Sequence, residues 1–154
     1  MESCVIRVAV LEDYEAIEGL MKQVQDLHVE WRPDIYKPCK MVLSKEEFFA
    51  LVEEKTLLVA EYKGDVIGLL AFVYRRVGSE KQVERKVLFI DAMAVDESYR
   101  GRGIGHQLFD IVKVIAKEQN CDGIELQVNA RNVWAKAMYE SYGFTEKSIN
   151  MELL

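Results

Sequence analysis

The residues with the plainest chemical potential lie between Val95 and Ile115, where the chain reads Arg100-Gly101-Arg102-Gly103-Ile104-Gly105. An apolar run stops at Val95, and Ile104, Leu108, Ile111, Val112 and Ile115 then recur at helical spacing, so the glycines occupy a strand-to-helix turn. Alternating glycines let a backbone pass close to a bulky ligand. The first turn of the following helix points unpaired N–H groups and the positive end of its dipole into the same space. Such a turn is suited to phosphate, and Arg100 and Arg102 add guanidinium groups that pair with phosphate oxygens in a fixed fork. Two common phosphate loops are excluded. The dinucleotide fingerprint G-x-G-x-x-G would need glycine at His106 or Leu108, and no Gly-Lys-Ser or Gly-Lys-Thr follows the turn to make a P-loop.

Other reactive side chains are sparse. Asp91 interrupts the otherwise apolar run Phe89-Ile-Asp-Ala-Met93, and an apolar setting raises a carboxyl pKa toward neutrality. Cys4, Cys39 and Cys121 form no C-x-x-C pair, which favours a reduced, cytoplasmic setting over a disulfide framework. His28 and His106 share no helical face and have no cysteine pair beside them, so no metal site is expected. The formal net charge of −6 disfavours a nucleic-acid module and suits a cationic substrate. No segment approaches the length of a membrane span.

The elements that must carry these residues follow from periodicity. A strand over 5–10 leads into a helix whose stripe is Ile17, Leu20, Met21, Val24 and Leu27. From His28 to Leu43 the period stops. Pro33 and Pro38 forbid a continuous helix, while Trp31, Ile35 and Tyr36 suggest a loop folded over the domain. Ser44-Lys-Glu-Glu47 has capping-box spacing and opens a second helix. The segments 56–62 and 66–75, parted by Lys63-Gly64-Asp65, read as a hairpin, with Gly68 marking a bulge or close approach. A long strand over 83–95 reaches the glycine turn, and the helix from Gly105 to Asn120 returns the chain to a parallel strand at 123–128. A short helix over 132–142 is expected to bury Trp134, Ala137, Met138 and Ser141 before Gly143 stops it. Residues 144–154 are expected to close the sheet. With no repeat or linker, residues 1–154 read as a single domain.

Two motifs and this order of elements resemble the GNAT superfamily of acetyl-CoA-dependent N-acetyltransferases. Arg100, Gly103 and Gly105 meet the family's (Arg/Gln)-x-x-Gly-x-(Gly/Ala) signature. The stretch Asn132-Val-Trp-Ala135-Lys-Ala-Met138-Tyr139-Glu-Ser-Tyr142-Gly143-Phe144 is similar to Asn-x-x-Ala-x-x-Leu-Tyr-x-x-x-Gly-Phe, with Met138 in place of leucine. The resemblance implies a mixed α/β fold: a mostly antiparallel sheet of about seven strands with a splayed parallel central pair, and about four helices.

It implies roles as well. Main-chain groups of Met93, Ala94 and Val95 would pair with the pantetheine arm of acetyl-CoA as a neighbouring strand does. The pyrophosphate would rest on Arg100, Gly101, Arg102, Gly103, Ile104 and Gly105, and Asn132, Ala135 and Tyr139 would border the arm's far side. Tyr139 stands at the family's tyrosine position, where its hydroxyl protonates the departing thiolate, and a main-chain N–H near Met93 would hold the oxyanion. Many relatives carry a glutamate base on the fourth strand. Asp91 is the carboxylate available here, either as base or as a structural partner for a cation such as Arg32 or Lys86. The acceptor is expected to be an amine, cationic in character, met by Glu30, Trp31, Asp34 and Tyr36 within residues 28–38; a homodimer is left open. The alternative function is an acyl-CoA sensor that has lost catalysis, and a third reading is a nucleotide-binding regulator that uses the glycine turn alone.

Overall fold

The computed structural model describes residues 4–154; residues 1–3, included in the single-domain expectation, lie outside the described residues. Its elements are β1 (Val5–Val8), α1 (Tyr14–Trp31), α2 (Lys45–Glu54), β2 (Leu57–Tyr62), β3 (Asp65–Ser79), β4 (Gln82–Val95), α3 (Ile104–Glu118), β5 (Gly123–Leu126) and α4 (Val133–Tyr142). The strands form one sheet in the order β1-β2-β3-β4-β5, antiparallel throughout except for the parallel pair β4 and β5. This is the mixed architecture expected, with five strands among the described residues rather than about seven. Residues 144–154, expected to close the sheet, carry a two-residue apolar alternation at Ile149, Met151 and Leu153 but form no ladder. Alternation marks a strand's face; it does not supply the partner a strand needs.

Two apolar layers sandwich the sheet. Ile17, Leu20, Phe48, Leu57, Val59 and Leu69 pack together on the α1 and α2 side. Leu58, Leu70, Phe72, Leu88, Ile90, Leu108, Phe109 and Val112 pack on the α3 side. A Lys63-Gly64 turn with φ of 50° and 86° joins β2 to β3, the left-handed pair a tight hairpin needs. Ser44 caps α2 by accepting from the Glu47 N–H at 3.1 Å, as the capping-box spacing predicts.

Three local expectations are corrected. Helix α1 continues to Trp31 rather than stopping at Leu27, because no breaker precedes Pro33 and only the residue before a proline is driven out of helical geometry. Glu12 and Asp13, read from the sequence as acceptors placed where this helix begins, give it no side-chain cap; the Asp13 carboxylate is held at 2.7 Å and 3.0 Å by Arg7, which keeps its pKa below the usual range. In α4 the buried side is offset from the expected one. Met138 packs against the α3 layer as expected, but Trp134 is 86% exposed, Ala137 and Ser141 are exposed too, and Tyr139 and Tyr142 face that layer in their place.

Candidate active site

The site is built on an irregularity in β4. Ala71 pairs with Ala92 and Phe72 with Ile90, which leaves Asp91 as the extra residue of a bulge. The bulge switches the strand's inward face: Leu88 and Ile90 pack toward α3, whereas Ala92 and Ala94 pack toward α1. The β4–β5 ladder runs from Val87–Gly123 to Ile90–Leu126 and stops at that point. Beyond it Met93, Ala94 and Val95 are paired on one side only, with Leu70, Leu69 and Gly68. Their other edge is open to an extended ligand.

The open edge leads into the glycine turn. Gly101 and Gly103 have φ of 77° and 83°, and a Cβ placed on either would meet nothing within 4 Å. These glycines therefore serve backbone conformation and outside access, not internal packing. Gly105 differs: its Cβ would lie 3.0 Å from Met138 and 3.1 Å from Met93, so it lets α3 settle against α4 and β4. Gly103 precedes α3 and offers no side-chain cap, and the first helical N–H donating within the helix is that of Gln107, to Gly103 O. The N–H groups of Ile104, Gly105 and His106 have no protein partner among the described residues, the general condition in which a helix N-terminus can receive an anion. The Ile104 side chain is buried in the core, so only its main chain is available there. Arg100 bonds the Val95 carbonyl through Nε at 3.0 Å, and Arg102 lies over the Tyr99 ring. Gln23 of α1 ties down the loop between strand and turn, donating to Asp96 at 3.1 Å and accepting from the Glu97 N–H at 3.2 Å.

Across the splay stands α4. Asn132 is its N-cap and accepts from the Ala135 N–H at 3.1 Å, which explains the spacing of these two residues in the second motif. Tyr139 packs among Phe109 and Phe144, and burial pushes its hydroxyl pKa up, holding the proton on. Among the described residues its hydroxyl has no hydrogen-bond partner. Tyr142, by contrast, donates to Asp110 at 2.6 Å; burial, reinforced by that bond, pushes its pKa up to about 12.

On the opposite face, Asp91 opens into a cleft of about 330 Å³ lined by Ile17, Met21, Leu43, Glu47, Leu51 and Leu69 among others. Its carboxylate pairs with neither expected cation. Arg32 holds Asp34 and Glu152, while Lys86 donates to Gln119 O and sits over the Tyr74 ring. Residues 28–38 contribute nothing to the lining of this cleft. Trp31 and Tyr36 stack on His28, and Asp34 is taken by Arg32. Sequence reasoning missed Glu47, whose capping role masked its place at the cleft, and Glu18, whose carboxylate accepts from the N–H groups of Val42 and Leu43 at 2.7 Å and 2.8 Å and so fixes that wall. Among the described residues no group of His, Cys, Asp or Glu is placed to hold a metal ion, and no helix is long and apolar enough to cross a membrane.

Comparison with known proteins bears on this geometry. A sequence profile of the acetyltransferase (GNAT) family matches residues 21–144. The chain is 31% identical over 97 residues to an uncharacterized N-acetyltransferase of Methanocaldococcus jannaschii, covering 63% of this chain and 42% of that protein. It is 26% identical over 84 residues to the spermine/spermidine N(1)-acetyltransferase of Bacillus subtilis, covering 54% and 55%. The chain thus spans about half the length of these curated relatives. Among solved structures, a variant of the BH1408 protein of Bacillus halodurans superposes with a TM-score of 0.90 at 32% identity, covering 97% of this chain and 98% of that one. An aminoglycoside N-acetyltransferase, AAC(6')-Iy in complex with CoA, shares the fold with a TM-score of 0.72 at 20% identity, covering 97% and 98%.

Proposed function

The chain belongs to the GNAT acetyltransferase family, and from that premise we propose that it transfers an acetyl group from acetyl-CoA to a primary amine, directly, in a ternary complex. The observation that carries the reading is continuity: the open edge of β4 at 93–95 runs into the unpartnered N–H groups of 104–106, with the Asp91 bulge at its start. An extended arm that ends in phosphate fits this path. The cosubstrate supplies the activated acyl group as a thioester.

The residues divide the remaining work. Met93, Ala94 and Val95 bind the arm through the main chain, and a main-chain N–H near Met93 holds the developing oxyanion. The turn from Arg100 to Gly105 takes the pyrophosphate. Arg100 releases the Val95 carbonyl to reach it, freeing that acceptor for the arm. Asn132 and Ala135 border the far side. A primary alkylammonium with a pKa of roughly 10.4 must lose a proton before it can attack, and Asp91 takes it directly or through water. Tyr139, held protonated by burial, returns a proton to the departing thiolate.

The cleft beside Asp91 supports an acceptor with an apolar body and its charge at one end, since Asp91 and Glu47 are its carboxylates and aliphatic side chains make most of its wall. The three free cysteines support work in a reducing compartment such as the cytoplasm. A panel of amines incubated with acetyl-CoA, with free thiol monitored, tests the proposal. Acceptor-dependent release supports it and identifies the acceptor. CoA binding without release by any amine would favour the alternative, an acyl-CoA sensor.

A further inference from the structure

Helix α1 is bonded to both halves of the site. Near its start Ile17 and Met21 line the acceptor cleft, Tyr14 donates to the Leu43 carbonyl at 2.6 Å, and the Glu18 carboxylate holds the N–H groups of Val42 and Leu43. Two residues past Met21, Gln23 reaches the corner that follows β4. Its Nε2 donates to Asp96 Oδ2 at 3.1 Å and its Oε1 accepts from the Glu97 N–H at 3.2 Å. The Ser98 N–H and the Gln23 amide, with Arg100 as the charged side chain acting on it, hold the Asp96 pKa below the usual range, so the carboxylate is ionised. One partner therefore only accepts and the other only donates, and a single orientation of the amide serves both.

The corner carries the cosubstrate half. Val95 ends the open edge, and Arg100 bonds back to its carbonyl at 3.0 Å. Asp96 accepts from the Ser98 N–H at 2.9 Å through its side chain and from the Tyr99 N–H at 2.8 Å through its main chain. These bonds make 95–100 one unit, leading from the edge to the glycine turn. The sheet holds that unit through the Asp96 N–H to Ile67 O bond. Among the described residues, only Gln23 hydrogen-bonds it from a helix. From Glu18 to Gln23 the helix advances about 7–8 Å, so one short rigid rod sets the cleft wall and the corner together.

Taking the cosubstrate and acceptor sites as assigned above, we propose that Gln23 is a positioning residue for transfer: by fixing the 96–97 corner against α1 it sets the thioester on the β4 edge at reacting distance from the amine in the cleft. It acts through Asp96 and Glu97, not on either reactant. A displacement of about 1 Å between reacting groups costs about a hundredfold in rate. Binding of each partner survives such a displacement, because the groups that hold the amine and those that hold CoA all remain.

Steady-state kinetics of Gln23→Met, which keeps length and volume but serves neither partner, test this beside the unaltered protein. The expected kcat is lower by about ten- to a hundredfold, with KM for the amine and CoA affinity by calorimetry each within about threefold. The double variant Gln23→Met, Asp96→Ala should lose little more than the worse of its two single variants, because both break the same bond. A pH profile separates positioning from packing. In Gln23→Glu one oxygen still accepts from the Glu97 N–H while the other meets the Asp96 carboxylate, and two carboxylates so close share a proton, which raises the upper pKa of the pair. The kcat of that variant relative to the unaltered protein should stand nearest to one at low pH, where the shared proton closes the contact. It should fall as pH rises through the raised pKa and the two carboxylates repel. A Met variant with kcat within about threefold of the parent, a loss carried by KM alone, additive losses in the double variant, or a Glu variant depressed equally at every pH would each overturn the proposal. Should the Met variant fail to fold by circular dichroism, the Glu profile decides alone. Failure of the assigned sites reads differently: the unaltered protein itself would bind no CoA or acetylate no amine, and the proposal would fall with them.

Discussion

The two sides of β4 are built in different materials. On the side proposed for the cosubstrate, the groups assigned to binding are mostly main chain: the open edge of 93–95 and the first N–H groups of α3, shaped by two glycines with positive φ. On the side proposed for the acceptor, the cleft is made of side chains drawn from α1, the 42–43 segment, α2 and three strands. A main-chain site is specified by local conformation and tolerates little change in backbone. A side-chain site can be retuned one residue at a time while the fold stays fixed. The same scaffold can therefore keep one cosubstrate while its acceptor changes.

Four substitutions can break or sharpen that contrast, taken from the largest expected effect to the smallest. Gly103→Ala puts a methyl group into space that is empty of protein, at a φ of 83° that side chains seldom adopt. The fold should bear the strain, about 1–2 kcal/mol. CoA affinity by calorimetry should fall about a hundredfold or more, the worth of one or two charge-assisted hydrogen bonds. An unchanged affinity in the folded variant would remove the turn from the binding site.

Tyr139→Phe keeps the ring in its aromatic cluster and deletes a hydroxyl that the protein does not use. Steady-state kinetics with the best amine should show kcat lower by about 10², the low end for a general acid because a thiolate leaves readily, with CoA affinity little changed. A loss of under about threefold would return Tyr139 to packing alone.

Asp91→Asn should lower turnover about tenfold, most strongly at low pH, where the acceptor is most protonated and a base matters most. A pH–rate profile that keeps both shape and height would make Asp91 a residue of the bulge and nothing more. Glu47→Gln removes one carboxylate from the cleft and should raise KM for a cationic acceptor a few-fold, about the value of a single exposed charge contact, without touching CoA affinity. An effect on CoA instead of the amine would dissolve the distinction between the two sides.

The contrast also explains what could be read from sequence. The glycine turn was legible because Gly101 and Gly103 write a backbone requirement, and Gly105 a close approach, directly into residue type, and the α4 motif because Asn132 caps the Ala135 N–H. The splay was legible only as an implication of resemblance, since nothing in residues 87–95 announces that pairing with β5 ends at Ile90. Likewise the bulge at Asp91 cannot be seen in its own strand: it is a register relation with Ala71 and Phe72. Residues 28–38, where aromatic content suggested an acceptor site, do not line the cleft beside Asp91, and Trp31 and Tyr36 lie against His28. Glu47 was hidden by a capping motif that is real. The offset in α4 came from counting Trp134 as core when Tyr139 and Tyr142 supply the buried ring surface.

Amide-resolved NMR during a CoA titration tests the central claim most directly. The account predicts that the amides of 93–95 and 101–106 shift together and saturably, while those of 42–51, around the acceptor cleft, stay largely still until an amine is added. Saturable CoA binding that leaves both 93–95 and 101–106 unmoved would contradict it.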